Sequence, residues 1–200
     1  LTQNVDSAKT LLKASGFVWD AQGKLHDAKG NQVKFTMVTN AENQSRIETA
    51  GLVRKDLEKL GIEIVFTQIE FNALVAKLDG TNDWECVMLG LTGGGSDPHF
   101  SANVWMSNSV THMWFPKQPS PSTPWEKELD SLVAAGVKLT DTAARKTVYD
   151  RIQAVVREEQ PFVYLGHPEA LDAIRTKFGN VRPTPLGGVL HNLDEIFVLK

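Results

Sequence analysis

Val53-Arg-Lys-Asp-Leu-Glu-Lys-Leu-Gly-Ile-Glu-Ile-Val65 decides the fold. Its first half continues an apolar row, Ile47, Ala50, Val53, Leu57 and Leu60, that recurs every three or four positions and therefore shares one helix face. Gly61 follows where helices commonly end on a left-handed residue, a conformation that glycine adopts without a steric penalty. Ile62-Glu-Ile-Val-Phe66 then reads as a strand. A helix, its stop signal and a strand thus lie within one short stretch.

Reading outward gives the same units again. Upstream, Val33-Lys-Phe-Thr-Met-Val38 alternates apolar and polar residues as a strand does, and Asn40 to Gln44 opens the helix. Downstream, Phe71, Leu74, Val75 and Leu78 mark a short amphipathic helix stopped at Gly80, and Trp84 to Leu89 is a third strand. Strands alternating with helices build a mainly parallel sheet with helices packed on it. At the amino end, Asp6 or Ser7 caps a first helix that carries Ala8, Leu11 and Leu12 on one face and ends at Gly16; Phe17 to Asn31 suits a hairpin or loop.

Beyond the third strand the pattern changes. Asp97 to Pro124 holds Pro98, Pro116, Pro119, Pro121 and Pro124, with Trp105, Trp114 and Phe115, and is too long for an ordinary connection. Two helices follow, one with Trp125, Leu129, Leu132 and Val133 on a side, the next with Ala144, Val148, Ile152 and Val155. Pro161-Phe-Val-Tyr-Leu165 returns as a strand, Gly179 to Gly188 is rich in turns, and Ile196 to Leu199 is a last apolar run.

Composition narrows the function classes. The chain has 200 residues, 42% hydrophobic and 22% charged, the mix of a globular protein with a usable core. A net charge of -3 without basic blocks argues against nucleic acid as a partner. No apolar run approaches the roughly 20 residues that span a bilayer. Cys86 is the single cysteine, so no internal disulfide forms, and it reads as a small buried hydrophobe. The amino terminus shows no signal peptide, which fits a cytoplasmic protein, a mature secreted protein or a fragment.

Function points to Gly90-Leu-Thr-Gly-Gly-Gly-Ser-Asp-Pro-His-Phe100. It follows the third strand, and ligands bind beyond the carboxyl ends of strands in open α/β sheets. Candidate ligand contacts are Leu91, Thr92, Gly93, Gly94, Gly95, Ser96, Asp97, His99 and Phe100, with Phe71, Trp105 and Trp114. The triple glycine either contacts a ligand or permits a tight bend. Asp97 before Pro98 suits a turn first and a ligand contact second. Trp105 and Trp114 either stack on a solute or anchor the long loop. His99, His112 and Asp97 match no zinc spacing, so no metal is expected, and no cofactor. Neither Gly-x-Ser-x-Gly nor His-Glu-x-x-His occurs. Ser96-Asp-Pro-His99 sets triad-like types side by side, which is not triad geometry. The charged stretches Arg54 to Lys59 and Glu126 to Asp130 read as solvated helix faces.

Several segments taken in order resemble the carboxyl-terminal lobe of family 5 extracellular solute-binding proteins, the oligopeptide- and dipeptide-binding group that feeds ABC importers. Ala8-Lys-Thr-Leu-Leu-Lys-Ala-Ser-Gly-Phe17 is similar to that family's first helix, and Gly23-Lys-Leu25 with Gly30-Asn-Gln-Val-Lys-Phe35 to its glycine hairpin. The opening stretch Val53 to Val65 is similar to its helix and strand, Asp83-Trp-Glu-Cys-Val-Met-Leu-Gly90 to its next strand, and Ser96-Asp-Pro98 to its Asp-Pro. Tyr149-Asp-Arg-Ile-Gln153 and Glu159-Gln-Pro-Phe-Val-Tyr164 are similar to its closing pair.

The resemblance implies a periplasmic-binding-protein-like (class II) α/β lobe with a mainly parallel mixed sheet flanked by helices. Residues 1–200 would form this one lobe of a larger two-lobed protein, with 97–124 as a long loop and 189–200 returning to a missing amino-terminal lobe. It implies capture of a peptide or other small polar solute, delivery to ABC permease subunits, and a periplasmic or extracellular place, with a lipid anchor through the missing N-terminus as one arrangement. It does not imply an enzyme. Two alternatives are a hydrolase using the Asp97 to His112 loop and a solute-sensing receptor of the same fold. The chain departs from peptide binders at two positions: Gly94 stands where they carry the aspartate that holds the peptide amine, and Leu91 where they carry tryptophan.

Overall fold

The computed structural model describes residues 4–91, 95–166 and 171–199. They fall into two compact units, Leu1–Thr92 with Val110–Gln118, and Gly93–Ser109 with Pro119–Lys200.

The first unit is built on the repeated strand and helix pattern. Helix α1 (Val5–Ala14) is capped by Asn4, whose side chain accepts from the Ser7 amide at 2.8 Å. The expected caps, Asp6 and Ser7, instead lie inside the helix, because the cap must keep extended backbone outside it and Asn4 does so at φ -135°. Strands β1 (Val18–Trp19) and β2 (Leu25–His26) form the antiparallel hairpin. Then come β3 (Lys34–Asn40), α2 (Gln44–Glu58), β4 (Glu63–Ile69), α3 (Phe71–Ala76) and β5 (Cys86–Val87). The sheet order is β4-β3-β5 with both pairings parallel, Phe35 opposite Ile64 and Met37 opposite Cys86.

Alternation along the central strand β3 explains why both sheet faces are covered. Met37, with partly buried Phe35, packs against Ala50, Val53 and Leu57 of α2 and against Ile64. Val38 points the other way, onto Leu74, Leu78 and Trp84.

Two boundaries differ from expectation. Gly80 does not stop the third helix: α3 runs into a π-helical turn, Lys77–Thr81, that contains Gly80, and the left-handed residue is Asn82 at φ 52°. Asparagine tolerates that region because its short polar side chain bonds locally. Of the expected strand Trp84 to Leu89, only Cys86–Val87 pairs. The flanking Trp84 and Leu89 are apolar because they bury against α3, not because they join the ladder. Burial raises the Cys86 thiol above its ordinary value, which keeps it protonated.

In the second unit, Pro98–Ser101 forms a 3-10 turn that leads into α4 (Ala102–Trp105), so part of the long loop is helical. Helices α5 (Pro124–Gly136) and α6 (Thr142–Glu159) pack through Leu129, Val133, Tyr149, Ile152, Val155 and Val156, with Ala102 against them. Ala144 is exposed and takes no part. Glu126 is 2% exposed, not on a solvated face. Its Oε2 accepts from the Ser122 and Thr123 amides at 2.8 and 2.9 Å, and Thr123 Oγ1 accepts from the Glu126 amide, closing a capping box on α5. Asp130 likewise accepts from the Ser107 amide.

Pro161 to Leu165 is not a strand; Val163 is 85% exposed. Among the described residues no strand lies alongside to complete a ladder, and apolar side chains alone do not make one. The last apolar run does pair: β7 (Phe197–Val198) is antiparallel to β6 (Phe178–Gly179). No helix among the described residues is long and apolar enough to cross a membrane.

Candidate functional site

The carboxyl ends of β3, β4 and β5 lie at one edge of the sheet, since all three run parallel. Thr39, fully buried, donates its hydroxyl to the Met88 carbonyl at 2.9 Å, tying the end of β3 to the segment after β5. Asn40 is 6% exposed and joins two charges. Its Nδ2 donates to Glu42 Oε2 at 3.0 Å, and its Oδ1 accepts from Arg46 Nη1. The Phe71 amide, at the first turn of α3, donates to Glu42 Oε1 at 3.2 Å. These bonds favour the anion, and the Asn40 amide foremost holds the Glu42 carboxyl below its ordinary value. Arg46 lies in the first turn of α2 with Asn43 as cap, and its Nη2 is 2.9 Å from where a Gly90 Cβ would stand. Phe71 and Leu91 are both exposed at this edge, 45% and 53%.

The turn that follows the glycines is anchored on α6. Asp97 caps the 3-10 turn, its Oδ1 accepting from the His99 amide at 2.8 Å. Both carboxylate oxygens also accept from Arg145, at 2.8 and 2.9 Å, a bidentate pair. The guanidinium foremost, and then the His99 amide, lower the Asp97 carboxyl to about 2. Arg145 in turn donates from Nε to the Gly136 carbonyl and sits 5.1 Å over the Tyr149 ring. One turn along α6, the Tyr149 hydroxyl meets His99 Nδ1 at 3.0 Å. A Gly95 side chain would collide with the Phe100 ring, so a residue with a Cβ does not fit there without moving that ring. Asp97, His99, Gly95 and Phe100 therefore form one local cluster, with the turn role of Asp97 visible in its bonds. Ser96 lies exposed between them.

The remaining candidates separate. Trp105 packs edge-to-face on Phe162 at 5.8 Å and lines a cavity of about 540 Å³ with Tyr149, Arg157 and Tyr164. Trp114 sits against the buried His112 ring, centroids 3.9 Å apart, in the first unit. Thr92, Gly93 and Gly94 lie outside the described residues. Ser96, Asp97 and His99 do not form a proton relay: Asp97 engages Arg145 and the His99 amide, and the His99 ring engages Tyr149. No group of three or more metal-ligating side chains occurs among the described residues.

The sequence reading missed Asn40, Glu42, Arg46, Arg145 and Tyr149. Arg145 and Tyr149 carried a local signal, an i,i+4 pair on one helix face. The sheet-edge cluster needed the strand pairing, which puts residue 40 near residue 90.

Three comparisons bear on this fold. The profile of bacterial extracellular solute-binding proteins, family 5 Middle, matches residues 2–112. A probable ABC transporter-binding protein of Deinococcus radiodurans is 30% identical over 173 residues, 81% of this chain and 29% of that protein. The oligopeptide-binding protein AppA of Bacillus subtilis is 23% identical over 168 residues, again covering 29% of its length. Its structure in complex with a nonapeptide superposes with a TM-score of 0.74 at 22% identity, over 98% of this chain and 38% of that one. At that identity the likeness speaks for the fold alone. The chain spans about three tenths of the length of these curated relatives. Because the match over residues 2–112 takes in more than half of its length, the chain belongs to the bacterial extracellular solute-binding proteins of family 5.

Proposed function

We propose that this chain is part of the substrate-binding component of an ABC importer, and not an enzyme. Residues 1–200 contribute to one of two lobes that close on a peptide or other small polar solute; an amino-terminal lobe supplies the other wall, and the closed form delivers the solute to permease subunits in the membrane. The protein then works outside the cytoplasmic membrane, in the periplasm or at the cell surface, with a lipid anchor as one means of retention. Family membership carries the reading. The parallel sheet supports it, because its exposed carboxyl edge is the place where α/β folds bind ligands.

Closure follows from differential contact: a solute shifts the lobes together only through bonds it makes in the closed state. One wall alone offers part of those bonds while association still costs its full entropy. Candidate peptides titrated into this chain should therefore give little heat. The deciding experiment is mass spectrometry of small molecules released from the full-length protein purified under native conditions. A peptide or polar solute recovered in stoichiometric amount supports the proposal. Tight solute binding by this chain alone, or turnover of the solute, would overturn it.

A further inference from the structure

Two turns around β2 repeat one another seven residues apart. Asp20-Ala-Gln-Gly23 and Asp27-Ala-Lys-Gly30 share three of four residues. In the first, Asp20 Oδ1 accepts from the Gln22 and Lys24 amides at 3.0 and 2.8 Å. In the second, Asp27 Oδ1 accepts from the Lys29 and Asn31 amides, both at 2.8 Å. The main chain closes both alike: Gly23 and Gly30 donate to the Asp20 and Asp27 carbonyls, and the Asp20 and Asp27 amides donate to the Lys24 and Asn31 carbonyls. The turns differ in their fifth residue. Asn31 folds back and donates to Asp27 Oδ2 at 3.0 Å, whereas the Lys24 ammonium lies 3.6 Å from Glu63. Oδ2 of Asp20 is met instead by His26.

The His26 ring spans the two turns. Nε2 faces Asp20 Oδ2 at 3.1 Å, and Nδ1 faces the Gly30 carbonyl at 3.1 Å. A carboxylate and a carbonyl accept and do not donate, and a neutral imidazole carries one N–H. Both contacts are hydrogen bonds only when both ring nitrogens are protonated. The charged groups on the surrounding elements are Asp20 and Lys24 of the first turn, Asp27 and Lys29 of the second, and Glu63 of β4, which is engaged by Lys34, Lys24 and Gln32. The three carboxyls lie below their ordinary values, Asp20 foremost through the Lys24 amide, Asp27 through the Asn31 side chain and Glu63 through Lys34. They stay ionised where a histidine titrates, so the proton in play is that of His26.

We propose that His26 is a proton-operated staple: as the imidazolium it clasps the two turns together, and as the neutral ring it keeps Asp20 and releases Gly30, so that the second turn loosens in alkaline surroundings. The remaining proton stays on Nε2 because the charged carboxylate is the stronger acceptor. Nδ1 then presents a lone pair to the Gly30 carbonyl. The release reaches the hairpin interior through Val33, which leads from the second turn toward β3 and donates its amide to the carbonyl of the fully buried Leu25 at 2.7 Å. The first turn keeps its bond, and Trp19 beside it stays docked on the Leu60 carbonyl. The Gly30 carbonyl foremost, and then Asp20, raise the His26 pKa, so the clasp is complete below 6.5 and is lost as pH rises through the folded value.

The test uses the whole chain labelled with nitrogen-15 and titrated by NMR at constant ionic strength. Long-range proton–nitrogen spectra of the His26 ring should show both nitrogens protonated on the acid side and Nε2 alone on the alkaline side. Hydrogen exchange, corrected for the intrinsic pH dependence of the chemistry, should show the Val33 amide opening about fivefold more often above the His26 midpoint, the worth of one hydrogen bond. The Trp19 indole should show no such step. His26→Gln has no proton to lose, so its Val33 amide should open equally often on both sides. A neutral ring that carries its proton on Nδ1, a Val33 amide indifferent to the midpoint, an equal step at Trp19, or a step that survives in His26→Gln would each overturn the proposal. The first three are read on the wild-type chain and decide the matter even if the variant fails to fold.

Discussion

Gly61 is where the helix-to-strand stretch turns, and replacing it with alanine tests how the first unit is locked together. Its backbone lies at φ +81°. A residue with a β-carbon held there loses about 1–2 kcal/mol. The added methyl would also collide with the Gly23 carbonyl, stand 2.9 Å from the Leu25 amide and 3.1 Å from the Trp19 ring. Two of those neighbours are backbone of the β1–β2 hairpin, which cannot swing aside as a flexible side chain would. The Leu25 amide donates to the Gly61 carbonyl at 2.9 Å, and the Trp19 indole donates to the Leu60 carbonyl at 2.7 Å. Losing one such bond costs about 1 kcal/mol. The sum for Gly61→Ala is about 2–4 kcal/mol. With a urea slope of about 1–3 kcal/mol per molar, the midpoint should fall by about 1 M or more. Gly30→Ala is the control: φ is +85°, yet nothing lies within 4 Å of the added carbon. It should lose only the backbone part, about 1–2 kcal/mol. Urea unfolding followed by tryptophan fluorescence gives both numbers, and hydrogen exchange at the Leu25 amide reports the docking bond. Equal losses in the two variants, or an unchanged Leu25 amide in Gly61→Ala, would refute the claim that close approach rather than backbone conformation requires glycine at 61.

The Asp97 carboxyl lies at about 2 against an ordinary 3.8, so its contribution is present above pH 4 and fades as pH falls from about 4 through 2. Carbon-13 NMR titration should show this, and Arg145→Met should return Asp97 toward the ordinary range; an unchanged value would mean that Arg145 is not the cause. His26 has its pKa raised by the Gly30 carbonyl and by Asp20, so its contribution is full below 6.5 and is lost as pH rises through the folded value. Asp20→Asn should lower the His26 midpoint in a proton NMR titration, and a fixed midpoint would sink that assignment. Leu129 is fully buried between α5 and α6, and Leu129→Ala should cost about 2–5 kcal/mol by denaturant unfolding. A loss below about 1 kcal/mol would show that the two helices do not depend on that contact.

The sheet was legible because its signals are local. Helix periodicity at Ile47 to Leu60, Gly61 and two short apolar runs each speak within a few residues, and β3, α2 and β4 follow from them. What was not legible depended on partners far along the chain. Trp84 and Leu89 look like strand residues, yet burial against α3 satisfies them without a ladder. Pro161 to Leu165 has the composition of a strand, but pairing is a property of two segments. Glu126 reads as surface charge, and only the donors that converge on it, among them the Ser122 and Thr123 amides and the Ser122 hydroxyl, explain why it is buried. The candidate site was found as a loop and understood as a set of anchors. Asp97 and His99 stood out in the sequence, whereas Arg145 and Tyr149, 48 and 50 residues away, determine what those two residues do.

The approach of α5 to α6 at Gly136 carries a consequence for how such a protein diversifies. The Tyr149 ring lies 3.1 Å from the position of a Gly136 Cβ, and the hydroxyl of that same ring holds His99. One methyl group added on the hidden side of the helix pair would therefore tilt the tyrosine and carry His99 with it. Residues on the hidden side of the helix pair thus set where His99 stands, with the sequence of its own turn left unaltered.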